Sequence, residues 1–155
     1  MKDGVFVEHL LAEHRRLDHL ISQTMAALPG WDEIDAWQWL PRLVEGLNAI
    51  RHELAQHFHE EEDGGCLEEA VSRCPGLSSE VARVESEHAK LLADLDELIR
   101  RAQPLSGSKP DEARVLGQKL RAIVLELHAH EALENQIMAR GFGRSLENED
   151  MAQSS

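Results

Sequence analysis

Six residues of this chain are of the types that ligate transition metals and fall at helical spacings: His14, His57, Glu61, His88, His130 and Glu134. One interval occurs twice. His57-x-x-x-Glu61 and His130-x-x-x-Glu134 each set an imidazole and a carboxylate four residues apart, on one face of a helix. Imidazole nitrogen with carboxylate oxygen suits borderline divalent metals. The plainer alternative is a set of buried histidines satisfied by hydrogen bonds to the two glutamates. The choice turns on whether the chain brings all six together.

The elements that must position them are helices. Leu43, Leu47, Ile50 and Leu54 recur at spacings of four and three, the seam of a helix facing a core, and the next two seam positions are His57 and Glu61. Burying such groups costs several kcal/mol unless they are paired or bind a metal. This second helix is predicted over about residues 40–63, ended by Gly64-Gly65. The first, about 5–28, carries Leu10, His14, Leu17, Ile21 and Leu28 and stops at Pro29-Gly30. The third starts near Ser78 or Ser79, good N-cap residues, and carries Val81, Val84, His88, Leu91, Leu95 and Leu98. The fourth, about 111–141, carries Leu116, Leu120, Ile123 and Leu127, then His130, Glu134 and Ile137, and ends at Gly141.

Between them lie a connection (30–39) with Trp31, Trp37 and Trp39, a short helical turn (66–73), and a loop (102–111). The tryptophans are expected to cap one end of the bundle, and 30–39 to include the next helix's first turn. The expected architecture is all-α: an antiparallel up-down-up-down four-helix bundle over residues 1–141, followed by a polar, acidic tail (142–155) expected to be disordered.

Depth along that bundle is the strongest argument for convergence. From the end where the first and third helices begin, His14 and His88 lie roughly nine residues in, His57 roughly six and His130 roughly eleven, which at 1.5 Å per residue agree within about a turn and a half. Every long helix offers a nitrogen at about one level. The other histidines, His9, His19, His52, His59 and His128, fall off the seams and are expected to face solvent, with His59 and His128 the candidates for an outer shell.

Composition narrows the function classes. A net charge of −13 argues against nucleic acid or an anionic membrane surface as partner. No apolar run approaches the roughly 20 residues that span a bilayer, and Glu8 and Glu13 come too early for a secretory leader, so a cytoplasmic protein is expected. Cys66 and Cys74 are too few for a disulfide scaffold; they are either plain loop residues or a thiol pair that senses oxidant. Ferritin-type carboxylate sites need Glu-x-x-His on two helices. Here that spacing occurs once, at Glu85 to His88.

The order H … HxxxE … H … HxxxE over residues 5–141 resembles the hemerythrin-like (HHE cation-binding) proteins. The resemblance implies two iron ions in a non-haem centre with dioxygen-linked chemistry, bridged by the carboxylates of Glu61 and Glu134, with His14, His57, His88 and His130 as terminal ligands. The chain departs from the oxygen-carrying members in two places. It has Leu92 one turn after the third-helix histidine, where they have another histidine, and His130-x-x-x-Glu134 where they have H-x-x-x-x-D. It is closer to the four-histidine bacterial branch, some of which resemble peroxide-consuming enzymes.

Two six-coordinate irons have about twelve positions. Four histidines, two bridging carboxylates and one oxo or hydroxo bridge fill about ten, leaving about two for a small oxidant. The leading expectation is a di-iron protein reacting with peroxide or O2, in a catalase-like or other oxidant-handling role, with an unknown electron donor. The alternative is a module that binds or senses O2, NO or iron without turnover. Manganese, zinc or no metal are the other readings these residues allow.

Overall fold

The computed structural model describes residues 2–26, 36–103 and 110–143. Among these the chain is all-helical: α1 (Lys2–Ala26), α2 (Ala36–Asp63), α3 (Cys66–Arg73), a 3-10 turn (Pro75–Leu77), α4 (Ser78–Ala102) and α5 (Pro110–Phe142). Trp31, the Pro29-Gly30 stop, Leu28, most of the 102–111 loop and the tail from residue 144 lie outside the described residues. Trp37 and Trp39 fall in the first turn of α2, as the reading of 30–39 allowed.

Every seam aliphatic within the described residues is buried, from Leu10 and Leu17 on α1 to Leu127 and Ile137 on α5. A Leu taken fully out of water stabilises the fold by about 1.5–3 kcal/mol, so these stripes set how each helix is rotated. Packing joins α1 to α2, α2 to α4, α4 to α5 and α5 to α1. Cross-helix pairs run in opposite senses along each contact. His9–Glu60, Arg16–Glu53 and Thr24–Gly46 follow one another between α1 and α2. Glu80–Arg140, Glu87–His130 and Lys90–Glu126 do so between α4 and α5.

Two helix ends differ from expectation. Neither Ser78 nor Ser79 caps α4: the 3-10 turn runs straight into it, Leu77 holds the N-cap position, and Ser78 is already helical (φ −58°, ψ −36°). With no break in the backbone there is no place for a capping hydroxyl. Gly141 does not end α5 but lies inside it, where a Cβ would stand 2.7 Å from that of Ala70. The helix ends at Phe142 and is followed by Gly143, whose φ of 68° suits glycine. α2 begins before residue 40, with Pro41 inside it.

The apolar interior is split in two. One cluster includes Leu17, Leu54, Leu91 and Leu127. The other includes Leu10, Cys66, Val84 and Ile137, with α3 supplying Leu67 and Ala70. On α1, α4 and α5 the candidate ligands fall between residues of these two clusters, and on α2 they lie between Leu54 of the first and Cys66, just past the helix, of the second. They form a polar layer within a hydrocarbon core.

Candidate metal centre

All six predicted residues are buried: His14 5%, His57 3%, Glu61 3%, His88 3%, His130 1% and Glu134 0% exposed. They meet as two groups, His14–His57–Glu61–Glu134 and Glu61–His88–His130–Glu134, each with ligand atoms within 4.8 Å of one another. Glu61 and Glu134 belong to both. Glu61 turns Oε1 to His57 Nε2 (2.6 Å) and Oε2 to His88 Nε2 (3.0 Å). Glu134 turns Oε2 to His57 Nε2 (3.5 Å), and Oε1 to His130 Nε2 (3.0 Å) and His14 Nε2 (3.7 Å).

Close as they are, these atoms do not hydrogen-bond. The Nε2 atoms of His14, His57, His88 and His130, and both oxygens of Glu61 and of Glu134, are buried without a hydrogen-bond partner. Leaving such an atom without a hydrogen bond costs about 1–3 kcal/mol, less where an imidazole faces a carboxylate as at His57–Glu61. Ligand atoms at right angles about an ion roughly 2.1 Å away lie about 3 Å apart. The observed spacings are those of groups facing a common centre. The two clusters could each hold a metal ion.

The outer faces of three imidazoles are satisfied. His57 Nδ1 bonds Glu13 Oε2. His88 Nδ1 bonds Glu62 Oε1, and His130 Nδ1 bonds Glu87 Oε1, each at 3.1 Å. A carboxylate at Nδ1 keeps the proton there and presents the Nε2 lone pair inward, the arrangement found around metal-bound histidines. Sequence reading missed these three glutamates. Glu13 and Glu87 each precede a seam histidine by one residue, so they are turned about 100° off the seam toward a neighbouring helix. The expected outer-shell residues are elsewhere: His59 pairs with Asp63 (3.2 Å) and His128 with Asp18 (3.5 Å), both on exposed faces. Phe58, also unforeseen, stacks on His88 (centroids 3.9 Å, 13°) and lies edge-on to His130.

Electrostatics separate the roles. Burial alone would push the Glu61 carboxyl up, but the close imidazoles of His57 and His88 outweigh it and hold it at about 2. His14 and His130 are lowered, first of all by burial, which favours the neutral imidazole. For His57 burial pulls down, yet Glu61 and Glu13 raise it above its ordinary value. Glu131, 8% exposed, is raised by burial, and its Oε1 also lacks a partner.

A cavity of about 220 Å³ reaches the centre from one side. His57 and Glu61 line its inner part, Leu10, Cys66 and Met138 its walls, and His9 and Glu60 its outer part. Cys66 is buried and free, and its thiol is pushed up to about 12, chiefly by burial. Cys74 is half-buried, at the other end of the eight-residue α3. That helix spans about 12 Å, beyond the roughly 7 Å limit between Cα atoms for a disulfide. Iodoacetamide at pH 8 is therefore expected to label Cys74 and spare Cys66, read by peptide mass; labelling of both at equal rates would contradict the burial.

No model of a known protein family matches the chain, and no match is found among curated proteins or solved structures. Among the described residues no helix is long and apolar enough to cross a membrane.

Proposed function

We propose that the four long helices form an antiparallel up-down-up-down bundle around a non-haem di-iron centre of the hemerythrin-like kind, and that the protein consumes peroxide or O2 there, with catalase-like turnover as the leading form. The observation that carries this reading is the sharing of Glu61 and Glu134 between two buried groups whose inward atoms have no partner in the protein. One ion would be held by His14 and His57, the other by His88 and His130, with both carboxylates common to them. The opposed running of cross-helix pairs supports the bundle topology.

Iron in that position supplies reversible one-electron chemistry and open coordination positions for a small oxidant. The chain's own residues do the rest. Glu13, Glu62 and Glu87 orient three imidazoles and hold the proton at Nδ1. Phe58 covers His88 and His130 with hydrocarbon, so water and oxidant reach the centre from the cavity beside Glu61. Leu92, where oxygen carriers of this kind have another histidine, is half-buried and packed against the core, and it would offer an ion bound there no ligand.

Protein produced in iron-supplemented medium is expected to carry about two irons per chain and to release O2 steadily from hydrogen peroxide, with release abolished in His130→Ala and Glu61→Ala. Two irons with reversible uptake of O2 or NO and no turnover would replace the enzyme with a binding module. A chain that retains no metal would sink the proposal.

A further inference from the structure

Outside the buried centre, His9, Glu13 and Glu60 bring a third set of ligand atoms within 4.8 Å of one another. His9 Nε2 lies 2.9 Å from Glu60 Oε2 and also contacts Glu13 Oε1. The three are graded in exposure: the side chains of His9 and Glu60 are 60% and 42% exposed, that of Glu13 only 9%. Glu13 faces both ways, one oxygen toward His9 and the other bonded to His57 Nδ1.

We propose that His9, Glu13 and Glu60 form a capture site for a divalent cation and that the cavity behind them is the path by which it reaches the buried centre. The inference rests on that centre being a metal site. Its second support is independent of the outer cluster. The cavity ends on Glu61 and His57, each 3% exposed, whose Oε1, Oε2 and Nε2 atoms are aimed inward without partners.

Size and charge both fit. The cavity, about 220 Å³, has room for several waters and so for a hydrated cation. A chain of net charge −13 draws cations to its surface, and exposed carboxylates hold them loosely because water screens the attraction. One imidazole and two carboxylates at the surface bind less tightly than two imidazoles with two shared carboxylates in a dry core. Transfer inward is therefore downhill. On the other flank Phe58 stacks on His88, and the two apolar clusters lie above and below the layer.

The test is the rate at which metal-free protein takes up cobalt(II), followed by stopped-flow absorption, with final occupancy measured by elemental analysis after desalting. The double variant His9→Ala/Glu60→Gln is expected to load about tenfold more slowly or worse, to the same two ions per chain, with unchanged helical circular dichroism. Glu97→Gln removes an equal charge at the far end of α4 and is expected to load at the normal rate. Normal loading by the double variant, with two ions bound, overturns the capture site and leaves the centre standing. Equal slowing by Glu97→Gln overturns it too, because overall charge would then explain the rate. A protein that takes up no cobalt overturns both readings.

Discussion

Glu134→Gln is expected to make the metal-free protein more stable and to cut its metal content from two ions per chain to one or none. Glu134 is 0% exposed and neither oxygen has a hydrogen-bond partner. Two of the imidazoles facing it, His14 and His130, are driven toward neutrality by burial and so offer it little positive charge. In the metal-free protein this carboxylate is a poorly compensated buried charge, which is costly. Glutamine has nearly the same shape, carries no charge, and can donate an amide N–H to the Nε2 of His130 now 3.0 Å from the carboxylate. The gain is expected to be about 1–3 kcal/mol, a rise in melting temperature of roughly 3–10 °C for a chain of this size. An amide cannot bridge two cations as a carboxylate does, so the same change removes metal-dependent stabilisation. Calorimetry with and without chelator, beside elemental analysis, reads both effects. A variant that melts lower when metal-free and still holds two ions would show that Glu134 is paired within the protein instead.

Gly141→Leu should act with the opposite sign on the fold. A glycine inside a helix normally costs about 0.5–1 kcal/mol relative to alanine, so filling it would ordinarily help. Here a Cβ at residue 141 meets the Cβ of Ala70 at 2.7 Å and its Cα at 3.0 Å, and neither can swing aside. Overpacking of this kind costs about 1–3 kcal/mol and a full leucine belongs at the upper end. Loss of about 3 kcal/mol would lower the melting temperature by roughly 10 °C. Adding Ala70→Gly should recover part of it, with a coupling energy of about 1–2 kcal/mol in the double-mutant cycle. No coupling between the two positions would mean that α3 is not docked against α5 through this contact. Because α3 carries Cys66 and Leu67, its displacement would also open the wall of the cavity beside Glu61.

How much of this was legible beforehand divides along a physical line. Seam periodicity reports which face of a helix is buried, so Leu43 to Leu54 on α2 and Leu116 to Leu127 on α5 could be read directly, and the polar intrusions at His57, Glu61, His130 and Glu134 with them. Counting residues from the helix ends then placed His14 and His88 at the same level. What periodicity does not report is which helices are neighbours. Glu13, Glu62 and Glu87 meet histidines on other helices, so they become meaningful only once α1 lies beside α2, and α4 beside both α2 and α5. Gly141 looked like a stop signal because glycine ends many helices; its role as a close contact for Ala70 depends on α3, which lies on no seam. The serines that open α4 misled for a similar reason. Ser78 and Ser79 have capping chemistry, but the 3-10 turn over Pro75–Leu77 leaves no helix start for them to cap.

One histidine of the central layer comes from each long helix, and the two shared carboxylates from α2 and α5. Ions held there would act as cross-links between segments far apart in the chain, tying residue 14 to 57, 61 to 88, 88 to 130, and 134 back to 14. Each such tie closes a loop of tens of residues, and loop closure on that scale removes about 3–5 kcal/mol of chain entropy from the unfolded ensemble, as a disulfide does. A helical protein without a disulfide among its described residues would thereby gain staples that appear and disappear with metal supply. Its resistance to proteolysis would then report the metal status of its surroundings.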